Sequence, residues 1–157
     1  MKQEPPRLLA DRMLGKLARY LRMAGFDTLY LGREGNPVEE ARKSGRVLVT
    51  RNRSAAARCA ALGIECIEVR DNYPHNQTRE VMRRMKPGAR PSPYTRCVFC
   101  NTRLEEVGDK AAVEGWVPPF VYKSQDRFKK CPGCGRIFWN ATHKRSMDRF
   151  MKSILGS

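Results

Sequence analysis

The arrangement of the cysteines restricts how this chain can fold more than any other feature of its sequence. Four of its six cysteines form two Cys-x-x-Cys pairs, Cys97 with Cys100 and Cys131 with Cys134, and 30 residues separate the pairs. A tight turn lets both thiolates of such a pair bind one ion, and two pairs complete the tetrahedral coordination that zinc prefers. Because four thiolates leave no position open for water or substrate, we predict a zinc ribbon with a structural metal site.

Two disulfides and two redox-active motifs are the alternative interpretations of these cysteines. Redox-active pairs belong to βαβ units, whereas both pairs follow the part of the chain that has that pattern. The first residues contain no signal-peptide core and no apolar run is as long as a membrane span, so we expect a cytoplasmic protein, in which disulfides are rare. His143 could compete as a metal ligand, but four cysteines already suffice, so we expect it at the surface. We expect Cys59 and Cys66 to be small buried hydrophobic residues.

Short apolar runs alternate with amphipathic stretches in the first part of the chain. The sequence predicts strands at residues 7–10, 26–31, 46–50 and 64–69, and helices at 13–24, 37–44, 54–62 and 78–86. Such alternation is typical of a parallel sheet that is flanked by helices and joined by right-handed crossovers. We therefore predict an α/β domain over residues 1–86.

The second part of the chain is predicted to hold a separate small domain. A Pro- and Gly-rich stretch at 87–93 has the composition of a linker, and residues 94–157 contain the cysteine pairs and a final amphipathic helix from 143 to 155. A unit of this size needs a metal or disulfides to remain folded. The apolar face of the final helix, which we expect to pack on one of the two domains, consists of Met147, Phe150, Met151, Ile154 and Leu155.

The positive charge of the chain points to a polyanionic partner. Lys and Arg number 31 against 16 acidic residues, a formal charge of +15, with an excess of nine in the first 90 residues and six in the rest. Two basic regions favour nucleic acid, because neutralised phosphates release counterions; a surface that is merely soluble is the alternative. Basic and aromatic residues alternate around the cysteines, a mixture that single strands favour, although we expect most of the rings in the ribbon's own core.

Four polar residues follow the ends of the predicted strands, namely Asp11, Glu34, Asn52 and Asp71. The carboxyl ends of parallel strands share one edge of the sheet, where ligands and chemistry collect. Carboxylates there can hold Mg²⁺ or Mn²⁺, which positions a phosphodiester and activates a water molecule. The alternatives are a helix cap for Asp11, a solvated loop position for Glu34 and a turn for Asp71.

Several segments resemble the Mut-seven C-terminal ribonuclease domain family, in the order that the family has. These segments are residues 11–28, residues 45–51, Arg96-Cys97-x-x-Cys100-Asn101, Val117-Pro118-Pro119, and residues 131–136 followed by His143. The resemblance implies a PIN-like α/β domain that is fused to a zinc ribbon and has metal-dependent ribonuclease activity. It matches Asp11 to the first-strand acid, and it implies that the phosphate backbone is faced by Arg12, Lys16, Arg19 and Arg51.

The chain departs from the family after the third strand. The family usually has Thr-Arg-Asp there, whereas this chain has Thr50-Arg51-Asn52. An amide oxygen can contact a metal but carries no charge. The leading hypothesis is a ribonuclease in which Asp11, helped by Asp71, Glu34 and Asn52, holds a divalent ion. The alternatives are an inactive RNA-binding or ribosome-associated protein, with ribosomal RNA or tRNA as candidate partners, and a zinc-ribbon module that binds proteins.

Overall fold

The computed structural model describes residues 4–85, 89–90, 92–140 and 144–155, and within the last segment the side chains of residues 148–154. His143, the side chains of Met147 and Leu155, and residues 87, 88 and 91 of the predicted linker lie outside the described part. Within the described residues, no helix has the length and apolar character that crossing a membrane requires.

A four-stranded parallel sheet with helices on both faces forms the first part of the molecule, as predicted. Its strands, in the spatial order β2-β1-β3-β4, are β1 (Leu8–Ala10), β2 (Thr28–Tyr30), β3 (Val47–Thr50) and β4 (Cys66–Glu68). The helices that follow the strands are α1 (Gly15–Met23), α2 (Pro37–Ser44), α3 (Arg53–Leu62) and α4 (Pro74–Arg84). Helices α1 and α4 contact each other, as do α2 and α3.

Alternation of side chains along the buried strands builds the two core layers. Leu8 and Val49 belong to the layer under α1 and α4, whereas Leu9 and Leu48 belong to the layer under α2 and α3. Successive residues of a strand point to opposite faces, and in a sheet covered on both sides each face needs apolar residues. The short uninterrupted apolar runs of the sequence follow from this requirement.

Helix α4 begins four residues earlier than the apolar pattern predicted. It starts at Pro74, whose fixed φ suits the first turn of a helix. The polar stretch after Pro74 gives no apolar period, which explains the late predicted start. Thr78 lies inside the helix, where its hydroxyl donates to the Pro74 carbonyl at 2.7 Å.

The second part of the molecule is built on an antiparallel sheet. It comprises β5 (Glu105–Glu106), β6 (Phe128–Lys130) and β7 (Ile137–Trp139) in that order, with a 3₁₀ turn at Lys110–Val113 and a short helix α5 (Pro119–Ser124) between β5 and β6. Phe128 is buried against Val113 and Val117, and Trp139 packs beside them. Several rings are therefore structural, as expected, whereas Trp116 and Phe99 are exposed.

The last helix, α6 (Lys144–Leu155), packs on the α/β part of the molecule. Phe150 and Met151 are buried in the layer under α1 and α4, where the Phe150 ring stacks on His75 with 4.1 Å between centroids. The Tyr94 hydroxyl donates to Asp148 at 2.7 Å. The expectation that the apolar face of this helix packs on a folded domain is confirmed for its described residues.

A buried polar junction joins the cysteine-rich part to the edge strand β2. The side-chain oxygen of Asn101 accepts from the Thr28 amide at 2.9 Å, and its nitrogen donates to Asp27 at 2.7 Å. Arg22 donates to the Thr28 carbonyl at 2.8 Å and to the Val98 carbonyl at 3.1 Å. Both backbone groups of Thr28 are thus satisfied by side chains, which covers an otherwise open sheet edge.

Asp27 is charged at this junction. Burial opposes its ionisation, but hydrogen bonds from Arg46 and Asn101 outweigh that effect and lower its pKa. The Arg46–Asp27 ion pair has an N–O distance of 2.7 Å. The junction is therefore held by charge-assisted bonds, which are stronger than neutral ones.

Gly25 allows the end of the predicted linker to approach α1. A Cβ atom at this position would lie 2.1 Å from the Ser92 carbonyl oxygen, and the φ angle of Gly25 is +94°. We expect Gly25→Ala to lower the free energy of unfolding by about 2–5 kcal/mol, because a backbone clash adds to the left-handed strain. Gly63→Ala is the control, since Gly63 has a φ of +68° but nothing within 4 Å of the added Cβ.

The free energy of unfolding of the control variant should fall by only about 1–2 kcal/mol. Denaturant unfolding of both variants measures the difference. Equal losses of unfolding free energy in both variants would show that the close approach to Ser92 adds nothing to the cost of a Cβ atom at position 25.

Candidate metal centre and strand-end site

The four cysteines of the two pairs converge on one point. Their sulfur atoms all lie within 4.8 Å of one another. The Cys97 and Cys134 sulfurs are 3.7 Å apart, and those of Cys100 and Cys131 are 3.3 Å apart. Tetrahedral zinc with Zn–S bonds of about 2.3 Å places its sulfurs about 3.8 Å apart. The donor set and its spacing fit a structural ion such as zinc, as predicted.

Disulfides do not account for these contacts. All six cysteines are free, and the sulfur separations of 3.3 and 3.7 Å far exceed the covalent distance of about 2.05 Å. Burial raises the pKa of the Cys97 thiol to about 12, whereas hydrogen bonding to Thr102 lowers that of Cys100 to about 6. A bound ion displaces these protons, so metal affinity falls as the pH falls.

The two cysteine turns have the same backbone geometry. In the first, the amide of Cys97 donates to Thr102 and its carbonyl accepts from Asn101, at 2.8 and 2.9 Å. In the second, Cys131 makes the corresponding pair of bonds at 2.8 Å each. The residue four positions after the first cysteine is left-handed in both turns, with φ of +72° at Asn101 and +79° at Gly135.

Asn101 therefore has two tasks that one residue rarely combines. Asparagine is among the few residues besides glycine that visit the left-handed region. Its side chain is then free to bond to β2 across the junction, which glycine cannot do. The resemblance drew attention to Asn101 beside Cys100, but sequence reasoning assigned it no task.

At the carboxyl edge of the parallel sheet, Asp11 contacts the end of the neighbouring strand. Asp11 follows β1 directly and is 8% exposed. Its two carboxylate oxygens accept from the Thr50 hydroxyl at 2.8 Å and from the Arg12 amide at 2.7 Å. Thr50 is the last residue of β3 and is fully buried. A polar residue at the end of an apolar strand is the sequence signal that could have identified Thr50.

Asn52 is linked to the same group and also caps α3. Its amide donates to the Thr50 hydroxyl at 3.0 Å. Its side-chain oxygen accepts from the Ser54 and Ala55 amides at 2.9 and 3.2 Å. The structure thus brings Asp11 and Asn52 together through Thr50.

Asp71 and Glu34 lie elsewhere along this edge. Asp71 accepts from the Tyr73 amide at 2.8 Å, a bond that lowers its pKa, and its own amide donates to Glu80, which sequence reasoning missed. Glu34 is exposed in the loop after β2. Among the described residues, the four cysteines are the one group of three or more potential ligands close enough to share an ion. The catalytic assignment of Asp11, Glu34, Asn52 and Asp71 stays a prediction.

Exposed cations flank Asp11. Arg12, Lys16 and Arg19 are all exposed, from the loop before α1 to its second turn. Arg12 donates to the Gly35 carbonyl at 3.1 Å, and Arg51 donates to Asn72 at 2.6 Å. Their predicted contacts with a phosphate backbone stay a prediction.

Residues 6–151 match the family model of the Mut7-C RNAse domain. The chain belongs to this family. The match covers nearly the whole chain and confirms the resemblance that its motifs indicate, and it connects this Mut7-C chain with ribonuclease-like or RNA-related function. No curated protein and no solved structure matches the chain.

We expect Asn101→Gly to separate the metal centre from the junction of this Mut7-C chain. Glycine accepts the left-handed backbone, so one zinc per chain should remain. Loss of the Asn101 side chain leaves the buried Thr28 amide unsatisfied, which should cost about 1–3 kcal/mol of unfolding free energy. Metal analysis and denaturant unfolding test both points.

Gly135→Asn is the matched control, because it places asparagine at the equivalent position of the second turn, where the space around the Cβ is open. It should retain both zinc and stability. Loss of zinc from Asn101→Gly, or unchanged stability, would contradict the assigned tasks of Asn101.

Proposed function

We propose that this Mut7-C protein binds RNA and cleaves its phosphodiester bonds with a divalent metal ion at the carboxyl edge of the parallel sheet. The observation that carries the proposal is the buried Asp11 carboxylate, bonded to Thr50 of the neighbouring strand and flanked by exposed cations. The family match supports an RNA substrate, as does the formal charge of +15. We further propose that residues 1–86 and 94–157 are two domains of a cytoplasmic protein.

The position of Asp11 supports this proposal. The strand order reverses between β1 and β3, because β2 lies on one side of β1 while β3 and β4 lie on the other. In open α/β sheets, ligands bind beyond the carboxyl ends of the strands at such a reversal. Asp11 follows β1 directly, and Thr50 is the last residue of β3, so both lie where the two strands that border the reversal end.

The chemistry of Asp11 suits Mg²⁺ or Mn²⁺. Each of its carboxylate oxygens accepts one hydrogen bond, which leaves further lone pairs for a ligand. Proteins commonly hold Mg²⁺ through one or two carboxylates, while water and substrate phosphates complete its shell. A bound ion would position the phosphate and activate a water molecule. Asp71, Glu34 and Asn52 are the proposed additional ligands.

The protein's own residues would bind and orient the substrate. Thr50 fixes the orientation of the Asp11 carboxylate through its hydroxyl. We assign phosphate binding to Arg12, Lys16, Arg19 and Arg51. The exposed guanidinium and ammonium groups would hold the backbone by charge, independently of the base sequence.

A second candidate function is RNA binding without cleavage, as in a ribosome-associated protein, with ribosomal RNA or tRNA as the bound class. The specific observation that favours it is Asn52, which stands where the family usually has an acid. Its side-chain oxygen already accepts two amide hydrogens of α3. A site with one negative charge fewer holds a divalent cation more weakly.

We expect Asp11→Asn to slow RNA cleavage in Mn²⁺ by at least about a hundredfold, the scale of losing a group that stabilises the transition state. Zinc-loaded wild type and variant are incubated with mixed RNA, and fragments are followed on gels. Asp126→Asn, which changes an exposed acid of the second sheet region, is the control and should cleave normally. Binding without cleavage in every protein would favour the non-catalytic function.

Restoring the acid at position 52 tests the same site from the opposite direction. Asn52→Asp should lower the Mn²⁺ concentration needed for half-maximal cleavage, because it adds charge while aspartate caps a helix as well as asparagine does. Asn36→Asp is the matched control, since Asn36 caps α2 through the same two kinds of bond. An equal shift in both variants would rule out a direct effect at the site.

A further inference from the structure

Phe99 lies in the first cysteine turn, and two arginines, one from each half of the molecule, lie over its ring. The ring is 47% exposed. The guanidinium of Arg136 lies over it at 4.3 Å from the centroid, and that of Arg19, from α1, at 5.5 Å. The Phe138 ring is stacked 6.4 Å away. We call these four residues the knuckle platform.

Although the knuckle platform lies at the surface, its backbone is held rigidly. Phe99 lies between two metal-ligating cysteines, so its backbone follows the metal centre. Arg22 donates to the Phe99 carbonyl at 3.3 Å and to the Val98 carbonyl at 3.1 Å, which ties the same turn to α1. A preorganised ring loses little conformational entropy when a partner stacks on it.

The charges of the platform favour an anionic partner. Among the described ion pairs, neither Arg19 nor Arg136 contacts a carboxylate. Arg136 has the Cys134 sulfur beside it, which belongs to the metal centre. Two cations over one ring repel each other, and a phosphate between them would relieve that repulsion. Lys16 adds a third exposed cation one turn before Arg19.

We propose that the knuckle platform binds a nucleobase of single-stranded RNA and the phosphate next to it. Exposed aromatic rings and arginine planes stack on unpaired bases, whereas paired bases are hidden in the helix. The inference rests on the proposed function and adds the path of the strand: from Asp11, past Arg12 and Lys16, across the first two turns of α1 to Phe99. The cations of α1 and the aromatic ring of the ribbon then act on one strand.

The test measures binding and base stacking together. The probe is a uridine oligonucleotide of about ten residues with one central 2-aminopurine, in buffer without added Mg²⁺ or Mn²⁺, and the protein is the zinc-loaded full chain. Anisotropy reports affinity, and quenching of 2-aminopurine reports stacking. The wild-type protein should bind the single strand and quench the fluorescence of its 2-aminopurine. It should not quench that fluorescence when the same strand is in a duplex.

Phe99→Leu keeps apolar bulk but removes the ring. It should weaken binding roughly five- to a hundredfold, the range for one base–aromatic stack, and abolish quenching. Phe99→Trp should retain both. The matched control is Phe120→Leu, because Phe120 is another ring of the same region and is 80% exposed. Arg136→Gln should lower the slope of log affinity against log salt by about 0.7, the value for one phosphate on a single strand.

The outcomes separate this inference from the function on which it rests. If the Phe99→Leu variant binds RNA and quenches 2-aminopurine like wild type, the proposed role of the platform is overturned, but the proposed function is not. The same holds if Phe99→Leu loses no more affinity than Phe120→Leu. Stronger binding of duplex than of single strand also overturns it. If wild type binds neither form of RNA, the proposed function fails as well. Zinc analysis of each variant confirms that the cysteine turn is intact, and Phe99→Trp tests the platform should Phe99→Leu lose its metal.

Discussion

The hydrogen bonds of Asn101 are the interaction on which the arrangement of the whole molecule depends. Asn101 closes a metal-binding turn by adopting a left-handed backbone, and the same residue satisfies the edge strand of the parallel sheet through its side chain. Because one residue has both tasks, the length of its side chain fixes the distance between the metal centre and strand β2. Asp27 and Arg22 complete the junction, where hydrogen bonds offset the cost of removing their charges from water.

This junction explains how a closed metal site can contribute to function without touching a substrate. Four thiolates leave no coordination position for chemistry. An ion bound there would instead hold a turn whose aromatic ring meets an arginine of α1. A surface composed of residues from both halves exists only while the halves are docked. In this Mut7-C chain, the proposed RNA recognition would therefore be coupled to a structural ion through geometry rather than through reactivity.

The strand-end site depends on a different kind of contact. Asp11 is nearly buried, and two donors orient its carboxylate. The exposed cations beside it raise the local positive potential, which favours a phosphate backbone and disfavours free metal. If the proposed divalent ion binds here, it would bind together with the substrate phosphate, as at Mg²⁺ sites with few protein ligands. The amide at position 52 would strengthen this proposed dependence on the substrate, since it supplies a helix cap in place of a charge.

Much of the fold and one of the two sites could be predicted from the order of residues. The spacing of the cysteines predicted the four-cysteine cluster that could hold an ion, and the alternation of apolar runs predicted the parallel sheet, because both signals arise between residues that are close along the chain. The sequence pattern gave no indication of the bond between Thr50 and Asp11, of which domain α6 packs on, or of the meeting of Arg19 with Phe99. Those contacts join residues that are distant along the chain, and their geometry depends on strand order and on the packing of whole elements, which no local period encodes.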